Sequence, residues 1–441
     1  MKKYDYILIG SGPGAYQMSN LLAKTDQRVL VIEGGQFGGT CPNYGCEPKI
    51  FLEGAVRAAL QANRLVGRGI KAPIQVDWQQ LMQAKLNRFN PWPAETKEII
   101  EKSHDVEVGY AKFLDDQTVE VNGHQYQAAN IVIATGQTPH RLAIPGQELL
   151  HNSTDVLSLE SLPSRVTLIG AGYVALELAT LLAAAGAEVT VIDHSDRPLR
   201  SFPQGAVQTV IKEMTARGIN FIYNTTVTAV KQVGSTYRLA SNHGEITTDY
   251  VIDATGRQAN LARLNLAATH IKTDRHGIIV DEYLQTSVPG VYAVGDVVSR
   301  SQPKLTPVAE FEGKYLFNYL TGRITQPIHY PVIGTNVFTF PEVAMAGVNP
   351  DQAIGKEEYT VKNYFLGNSS LYAGQNDRQA QLTLVFKGQQ LVGASEVSDT
   401  AADDINNFLP VIGLQVSGAQ YRQAVIAIYP ALADKVGGDL L

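Results

Sequence analysis

Two cysteines, Cys41 and Cys46, are the residues of this chain best suited to chemistry. They are the only cysteines among 441 residues, and they lie in the stretch GGTCPNYGCEPK. Thiol–disulfide exchange requires a thiolate that attacks and a second thiol close enough to resolve the mixed disulfide. The dipole of a helix that starts near the pair would favour the thiolate. The pattern therefore predicts a redox-active pair, and the alternative is two buried structural thiols.

A glycine-rich turn precedes the cysteine pair. An apolar strand is followed by Gly10, Gly12, Gly14 and Ala15 in the pattern GxGxxA, and a helix and a second strand then lead to Glu33. Turns of this type bring backbone N–H groups to a pyrophosphate at the N-terminus of the helix. An acid about 20 residues further on accepts hydrogen bonds from ribose hydroxyls. This stretch predicts a dinucleotide site with Glu33 on the ribose.

The same pattern returns later in the chain. A strand is followed by Gly170, Gly172 and Ala175, and a helix rich in Ala and Leu and another strand then lead to Asp193. One such match is a weak signal, but two complete units, each of which ends on an acid, predict two dinucleotide sites. We expect one site for a flavin and one for a nicotinamide. The alternative is that both stretches are only tight packing turns.

Length and composition limit the classes of protein. The chain is too long for one core, so two to four domains are expected. A net charge of -6 argues against nucleic acid as a partner, because binding phosphates needs a basic face. No apolar run is long enough to cross a membrane, and Asp5 interrupts the apolar start, unlike a signal peptide. We expect a cytoplasmic protein without a metal site, in which a structural disulfide would be unusual.

Other segments supply the elements that must position these residues. Helices are predicted at about 46–65 and 78–103, and a β-rich piece follows them. The strand–turn sequences IVIATG, DATGR and YAVGD come later in the chain. From about Pro327 the pattern changes to apolar strands and two helical stretches, which is typical of an α+β domain.

Eight motifs occur in an order that resembles one flavoprotein family. GSGPGA, GGTCPNYGC, IVIATG, GAGYVALE, DATGR, YAVGD, KLTPVA and FTFPEVA are similar to motifs of class I pyridine nucleotide-disulfide oxidoreductases, the glutathione reductase and dihydrolipoamide dehydrogenase type. The resemblance implies an α/β fold with two Rossmann-like dinucleotide-binding domains and a C-terminal α+β dimerisation domain. It places the FAD-binding domain at 1–150 and 255–326, the NAD(P)-binding domain at 151–254 and the dimerisation domain at 327–441. A homodimer is therefore expected.

The resemblance also implies roles for single residues. Cys46 would lie against the flavin as the charge-transfer thiolate and Cys41 would attack the substrate, with electrons passing from NADH or NADPH through FAD. Lys49 would lie near the flavin N5 and pair with Glu177. The rest of the flavin set would be Gly39, Thr40, Ala111, Thr135, Gly136, Gly295 and Asp296. The rest of the nicotinamide set would be Tyr173, Val174, His194, Arg200 and Gly256.

The C-terminal segment departs from the family pattern. Members that reduce glutathione disulfide or oxidise dihydrolipoamide carry a His-Pro near the C-terminus and a glutamate a few residues later, and the histidine moves protons to the attacking thiol. Tyr429 and Asp434 stand at these positions here, and no histidine follows His329. A phenol has an unperturbed pKa of about 10, so tyrosine can donate a proton but is a poor base at neutral pH.

Two signals after the second turn disagree about the nicotinamide. Asp193 would accept hydrogen bonds from an unmodified ribose and repel a 2′-phosphate, which favours NADH. Arg197 and Arg200 in RPLRSF resemble the segment with which glutathione reductases hold the 2′-phosphate of NADPH. The carboxylate leads us to expect NADH.

These features predict an FAD-dependent NAD(P)H:disulfide oxidoreductase that reduces a low-molecular-weight disulfide through Cys41 and Cys46. One alternative is an oxidase, or a quinone or metal reductase, in which the flavin alone transfers electrons. Another is a redox-sensing homologue without brisk turnover, and Tyr429 keeps both alternatives open. Mercuric reductases and large thioredoxin reductases use a further C-terminal cysteine or selenocysteine, which this chain lacks. The sequence therefore argues against both of these activities.

Overall fold

A computed structural model describes residues 2–432 of the chain. The chain divides into two compact units. The first comprises the residues up to Phe51, Met82–His140 and Gly256–His329. The second comprises Leu52–Leu81, Arg141–Thr255 and the residues from Tyr330 onward. The finer division into FAD-binding, NAD(P)-binding and dimerisation domains at the boundaries given above stays a prediction.

The structure confirms the helix expected at about 46–65 and divides the segment expected at about 78–103. They are α1 (Pro13–Leu22), α2 (Thr40–Tyr44), α3 (Cys46–Arg64), α4 (Trp78–Phe89), α5 (Trp92–Glu101), α6 (Ser153–Val156), α7 (Tyr173–Ala184), α8 (Gln204–Ala216), α9 (Thr306–Leu320), α10 (Pro350–Ala353), α11 (Ser370–Gly374), α12 (Ala401–Gly413) and α13 (Gly418–Ala424). Short 3₁₀ helices lie at Gln147–Leu149, Leu266–Ala268 and Gly295–Val297. The helix expected at 78–103 is two helices, because Pro91 lies between them and cannot continue α4.

Strands alternate with these helices along the chain. They are β1 (Lys2–Ile9), β2 (Val29–Glu33), β3 (Asp105–Val108), β4 (Lys112–Phe113), β5 (Thr118–Val121), β6 (His124–Ile133), β7 (Gln137–Pro139), β8 (Arg165–Ile169), β9 (Glu188–Ile192), β10 (Asn220–Ile222), β11 (Val227–Val233), β12 (Thr236–Ser241), β13 (Gly244–Thr248), β14 (Tyr250–Asp253), β15 (Arg257–Ala259), β16 (Thr273–Asp274), β17 (Gly277–Ile278), β18 (Val291–Ala293), β19 (Gly334–Val337), β20 (Glu342–Gly347), β21 (Thr360–Phe365), β22 (Gln381–Lys387) and β23 (Gln390–Ser398).

The main sheet of the first unit carries the first glycine turn. Its order is β3-β2-β1-β6-β5-β4, with β18 also paired to β6, and β1 is parallel to β2 with Ile9 opposite Ile32. Alternate side chains of β1 enter two apolar clusters, Ile7 and Ile9 in one and Tyr6 and Leu8 in the other. The strand is therefore covered on both faces, as expected for a parallel sheet.

Helices α1 and α9 pack closely within the first unit. A Cβ at Gly313 would collide with the carbonyl oxygen of Gly14, and a Cβ at Gly14 would lie 3.1 Å from Ala309 O. Both helices begin with a proline in the first turn, where its missing N–H removes no helical hydrogen bond. Gly14 and Gly313 thus allow α1 and α9 to pack in close contact, within the unit that also carries the cysteines.

The described residues of the second unit form three sheets. A parallel sheet of order β10-β9-β8-β14 carries the second glycine turn, and α7 follows that turn with Ala175–Leu182 buried throughout. The other two sheets are antiparallel, with orders β11-β12-β13 and β19-β20-β23-β22-β21. Helix α12 packs on the five-stranded sheet, and Phe386, Ala394 and Phe408 belong to the core between them. The α+β pattern predicted from Pro327 onward is confirmed.

Candidate active site

The two cysteines lie on consecutive helices. Cys41 is in α2, Cys46 is the first residue of α3, and Gly45 separates the two helices. Both side chains are free thiols; Cys41 is partly buried and Cys46 is exposed. Their side chains are hydrogen-bonded to each other. The chain therefore brings together the two sulfurs that the sequence predicted to work as a pair.

Thr306 lies beside the cysteine pair. Its Oγ1 is 3.7 Å from Cys46 Sγ, although 260 positions separate the two residues in the chain. Thr306 is the first residue of α9, and Cys46 is the first residue of α3. The N-terminal ends of two helices thus lie at the sulfurs, and their partial positive charge favours a thiolate.

Hydrogen bonding and burial raise the pKa of the Cys41 thiol well above its ordinary value. The hydrogen bond with Cys46 is the largest cause, followed by burial and by the charge of Cys46, whereas the hydrogen bond with Thr306 acts in the opposite direction. Burial and the neighbouring Cys46 sulfur therefore oppose the loss of the Cys41 proton. Because the attacking species in disulfide exchange is a thiolate, Cys41 must lose this proton before it attacks.

The first glycine turn lies directly against the cysteine-bearing stretch. Gly10 has φ +108°, and a Cβ there would collide with Ala134 O. Gly39 has φ +70°, and its Cβ would lie 2.7 Å from Gly12 Cα. Only glycine combines this backbone conformation with so close an approach. The turn predicted to hold a pyrophosphate and the stretch that carries the thiols are therefore neighbours.

Glu33 ends β2 and accepts hydrogen bonds from the turn. Its Oε2 accepts from the Ser11 N–H at 2.9 Å and from the Ser11 hydroxyl at 2.7 Å, and its Oε1 accepts from the Gly35 N–H at 2.7 Å. The Ser11 hydroxyl in turn accepts from the Gly38 N–H at 3.0 Å. The carboxylate predicted to bind a ribose is thus fixed beside the turn by three hydrogen bonds.

The other residues of the predicted flavin set are also in the first unit. Gly14 and Ala15 are buried in the first turn of α1, Thr40 begins α2, Ala111 is buried, and Gly136 has φ +65°. The Thr135 hydroxyl next to it is buried and has no hydrogen-bond partner. A buried hydroxyl without a partner at the end of β6 fits a site that a polar ligand completes.

Gly295 and Asp296 follow β18 in a short 3₁₀ helix. Burial raises the pKa of the Asp296 carboxyl, and the positive charges of Arg300, Lys304 and Arg257 oppose this effect. The Asp296 carboxyl is therefore a partly buried group near three cations, which suits an acceptor for ligand hydroxyls.

The second glycine turn repeats the geometry of the first. Gly170 has φ +102°, and its Cβ would lie 2.6 Å from Ala254 O. The carboxylate of Asp193 is buried; its Oδ2 accepts from the Ala171 N–H at 2.7 Å. Its Oδ1 accepts from the Ser195 N–H at 2.7 Å and the Ser195 hydroxyl at 2.5 Å. This turn and acid fit a second dinucleotide.

Most of the remaining residues of the predicted nicotinamide set lie beside this turn in the second unit. Gly172 is the N-cap of α7, and Tyr173, Val174 and Ala175 form its first turn, with Tyr173 exposed. His194 is exposed with Nδ1 3.5 Å from Asp193 Oδ1. These positions suit contacts to a ligand that lies across the N-terminus of α7. Gly256 has φ +139° and belongs to the first unit, so its part in nicotinamide binding stays a prediction.

The two arginines that suggested NADPH differ in their surroundings. Arg197 Nη2 donates to Phe202 O at 2.8 Å and to Asp351 Oδ2 at 2.7 Å. Arg200 is exposed. Arg197 thus already has a carboxylate partner, which weakens the signal for a 2′-phosphate.

Lys49 and Glu177, predicted to form a pair, belong to different units. Lys49 lies in the first turn of α3. Glu177 is buried in α7, and its Oε1 accepts a hydrogen bond from the Phe338 N–H at 3.0 Å. The pairing of Lys49 with Glu177 stays a prediction.

Tyr429 lies in an exposed apolar segment. Its side chain is 81% exposed, a cis peptide bond joins it to Pro430, and the neighbouring Ile426 and Ile428 are exposed as well. Asp434 lies outside the residues that the structure describes. The contact of Tyr429 with the attacking thiol therefore stays a prediction.

Two contributors to the site, Ser11 and Thr306, were not predicted. Thr306 stands in the motif KLTPVA, and a Thr-Pro pair is a common helix start that could have drawn attention to it. Ser11 is the variable residue between Gly10 and Gly12, and only its bonds to Glu33 and Gly38 reveal its role. No local pattern marks such a residue.

Between residues 2 and 432, no three His, Cys, Asp or Glu side chains are grouped so that they could hold a metal ion. None of the helices in that part of the chain is both long and apolar enough to cross a bilayer.

Comparison with known proteins agrees with these features. The family model "Pyridine nucleotide-disulphide oxidoreductase" matches residues 4–313, and its "dimerisation domain" matches residues 333–439. A mercuric reductase of Staphylococcus aureus is 32% identical over 91% of this chain and 76% of its own. A dihydrolipoyl dehydrogenase of Mycoplasma pneumoniae is 30% identical over 93% of this chain and 92% of its own.

A solved structure has the same fold. The HOCl-induced flavoprotein disulfide reductase RclA from Escherichia coli aligns with a TM-score of 0.88 and covers 98% of both chains at 22% identity. The fold and the family matches confirm the expected α/β architecture with a C-terminal dimerisation domain. The chain therefore belongs to the class I pyridine nucleotide-disulfide oxidoreductases, flavoenzymes that use FAD and NAD(P)H.

Proposed function

We propose that this enzyme reduces a low-molecular-weight disulfide with electrons from NADH, through Cys41 and Cys46. The observation that supports this most is the hydrogen-bonded pair of free thiols, one in α2 and one at the start of α3, beside the first glycine turn. Bound FAD supplies the transfer of electrons from the nicotinamide to the cysteine pair. The protein's own part is to hold both cofactors and to control the protons of the two sulfurs.

The residues that would hold the cofactors fall into two sets. In the first unit, the glycine turn would receive the FAD pyrophosphate, Glu33 would bind a ribose and Asp296 the hydroxyls of the flavin side chain. In the second unit, the turn at Gly170 would receive the nicotinamide dinucleotide and Asp193 its ribose. Asp193 and the engaged Arg197 both favour NADH over NADPH.

The exchange of bonds would begin from the Cys41–Cys46 disulfide. Two electrons and one proton break this bond and leave a thiol at Cys41 and a thiolate at Cys46. After Cys41 loses its proton, its sulfur attacks the substrate disulfide and releases the first thiol. Cys46 then attacks the Cys41 sulfur, re-forms the internal disulfide and releases the second thiol. NADH, one proton and one disulfide give NAD⁺ and two thiols.

Proton transfer at Cys41 would differ from that of relatives with a histidine. Tyr429 can protonate a departing thiolate, but its phenol is a poor acceptor for the Cys41 proton at neutral pH. We place Tyr429 at the thiols of a second copy, since the chain has the family's dimerisation domain and its segment at Ile426–Tyr429 is exposed. The Cys41 proton would then pass to solvent, so the rate of disulfide reduction should rise with pH above neutrality.

A second candidate function is direct reduction of a metal ion or a quinone by the flavin. Tyr429 in place of a histidine favours it, because such electron transfer needs no base at Cys41. A redox-sensing role without brisk turnover is the third. The similarity to a mercuric reductase is compatible with the second candidate, although no additional cysteine is present near the C-terminus of this chain.

Steady-state assays with two kinds of acceptor distinguish these functions. Wild type, Cys41→Ser and Cys46→Ser would each be tested with NADH against a panel of small disulfides and against a quinone and Hg²⁺. We expect both variants to lose at least about 1000-fold in disulfide turnover, the scale for removal of a nucleophile. Quinone reduction should persist and serves as the control for bound FAD. Disulfide turnover that survives Cys41→Ser would overturn the proposal.

A further inference from the structure

We propose that Arg300, Glu312 and Lys304 are positioning residues that fix the turn carrying Asp296 and keep its carboxylate directed at the flavin side chain. The inference rests on the proposed role of Asp296 in FAD binding. All of these residues lie in the first unit, between β18 and the middle of α9.

Arg300 and Glu312 form a buried ion pair at Gly295. Arg300 Nη1 lies 2.5 Å from Glu312 Oε1 and 2.6 Å from Oε2, and the two side chains are 5% and 0% exposed. Glu312 Oε2 accepts from the Gly295 N–H at 2.7 Å, and Arg300 Nη1 donates to Gly295 O at 2.8 Å. One ion pair therefore holds both polar groups of Gly295, which has φ +76°.

Lys304 holds the next part of the same turn. Its Nζ donates to Asp296 O at 3.0 Å and to Val298 O. The carbonyls of Gly295, Asp296 and Val298 thus all accept from buried or half-buried cations. Hydrogen bonds from charged donors are about twice as strong as neutral ones, so three of them make this turn stiff.

The Asp296 carboxylate itself is left available. No group between residues 2 and 432 donates a hydrogen bond to it, and Arg300 Nη2 lies 4.0 Å from its Oδ1. Arg300 Nε and Nη2 are buried without hydrogen-bond partners. Since buried guanidinium donors are rarely left unpaired, this end of Arg300 faces a place that a ligand-bound arrangement completes.

The charges around Asp296 have a further consequence. Burial raises the pKa of Asp296, and Arg300 and Lys304 oppose this shift. Burial and the charge of Arg300 lower the pKa of Lys304 to about 8. Above that pH Lys304 loses the charge that holds Asp296 O and favours the carboxylate, so FAD should bind more weakly as pH rises through about 8.

FAD dissociation constants of the holoenzyme, measured by flavin fluorescence on dilution, test this inference. Arg300→Met and the double variant Arg300→Met/Glu312→Gln should bind FAD about 10- to 100-fold more weakly, the range for hydrogen bonds to charged groups. The double variant leaves no unpaired buried charge, so its thermal stability should be near that of wild type. Lys314→Met, on the exposed side of α9, should leave the constant unchanged.

The pH profile supplies a readout that a merely structural role would not move. The FAD dissociation constant of wild type should rise several-fold between pH 7 and about 9 as Lys304 loses its proton, and Lys304→Met should show no such rise. Two results would overturn the inference. One is wild-type FAD affinity in the double variant, and the other is a rise of the FAD dissociation constant with pH in Lys304→Met that equals the rise in wild type. If the affinities change as expected while disulfide turnover is absent, the proposed function fails and the inference stands.

Discussion

The two glycine turns share one backbone geometry, but the residues that follow them in the chain differ in their chemistry. Gly10 and Gly170 both have positive φ and both face a carbonyl oxygen of the sheet. In each case the acid at the end of the second strand accepts from the N–H that follows the first glycine. After Glu33 the chain continues to the cysteine pair. After Asp193 it continues to a loop in which Ser195 donates hydrogen bonds to the Asp193 carboxylate.

The difference between the two acids lies in their exposure. Each accepts hydrogen bonds on both carboxylate oxygens, but Asp193 is 8% exposed, whereas Glu33 is half-buried. We therefore expect the turn to determine dinucleotide binding and the residues beyond the acid to determine the reaction. In the first unit the turn lies beside a cysteine pair that can exchange electrons, whereas the second unit contains no cysteine.

The largest expected effect is on the turns themselves. Gly10→Ala should abolish FAD binding and with it all activity, because a Cβ collides with Ala134 O in a left-handed backbone. Gly170→Ala should retain FAD and its spectrum but weaken NADH binding at least about 10-fold, from a backbone penalty of 1–2 kcal/mol plus the clash. Flavin content and NADH titration separate the two.

Gly172→Ala is the matched control for that prediction. A Cβ at Gly172 meets nothing within 4 Å, so the free energy of unfolding should stay near that of wild type. NADH affinity should still fall, since the second glycine of such a turn lets the backbone approach a pyrophosphate. Equal FAD loss in Gly10→Ala and Gly170→Ala would contradict the assignment of the turns.

The second prediction concerns the two acids. Asp193→Asn should lower the free energy of unfolding by about 2 kcal/mol, because an amide NH₂ then faces a buried N–H donor. Glu33→Gln should have a smaller effect, about 1 kcal/mol, because water reaches that carboxylate. Chemical denaturation checks this order, with the exposed Asp196→Asn as the control.

Asp193→Asn should also reduce the preference for NADH over NADPH. The negative charge that would repel a 2′-phosphate is removed, and discrimination should fall by about 10-fold or less. A variant whose ratio of kcat/KM for the two cofactors equals that of wild type would exclude Asp193 as the discriminating residue.

A third prediction contrasts these acids with Glu396, whose carboxyl accepts its hydrogen bonds from hydroxyl groups. Glu396 is buried in the five-stranded sheet, where the hydroxyls of Tyr372 and Ser398 donate to its Oε1 and Asp404 lies nearby. Burial and the charge of Asp404 raise the pKa of Glu396 well above its ordinary value. The native state then binds a proton that the unfolded chain has lost, so stability falls as pH rises above the unfolded pKa of about 4.3.

Denaturation curves across pH test this contrast. Glu396 should contribute a decrease of about 1.4 kcal/mol per pH unit at most, over the range between its unfolded and folded pKa values. Glu396→Gln should remove that contribution, whereas Asp403→Asn, exposed on α12, should keep it. An identical pH slope in Glu396→Gln and wild type would exclude the protonated form.

The smallest expected effect concerns Thr306, which lies beside the cysteine pair in the first unit. Thr306→Ala should lower disulfide turnover at pH 7 by about 2- to 10-fold, the range for one hydrogen bond, because the pKa of Cys41 rises further. The loss should shrink as pH rises and Cys41 ionises, and Thr306→Ser should restore the rate. A loss independent of pH would show that Thr306 acts by packing instead.

Much of the site could be predicted because its parts are local in sequence. The two turns, their acids and the cysteine pair each depend on residues within one strand–turn–helix–strand stretch, where glycine spacing and an apolar pattern carry the information. The dinucleotide folds follow from such patterns, and so does the α+β character of the C-terminal region.

The remainder depends on contacts between distant residues. Thr306 meets Cys46 across 260 positions, and Arg197 meets Asp351 across 154, so no window of sequence pairs them. The helix expected at 78–103 is interrupted for a local reason, because Pro91 cannot continue α4. The bond between Arg300 and Gly295 spans five positions, yet only the fold shows that Glu312 shares it.

An anaerobic titration of the FAD-loaded enzyme with NADH tests the central claim most directly. Uptake of two electron pairs per flavin, with a long-wavelength band after the first pair that Cys46→Ser abolishes, is the predicted result, because the cysteine pair stores one of them. Uptake of a single pair with simple bleaching of the flavin would contradict the account, since Cys41 and Cys46 would then exchange no electrons.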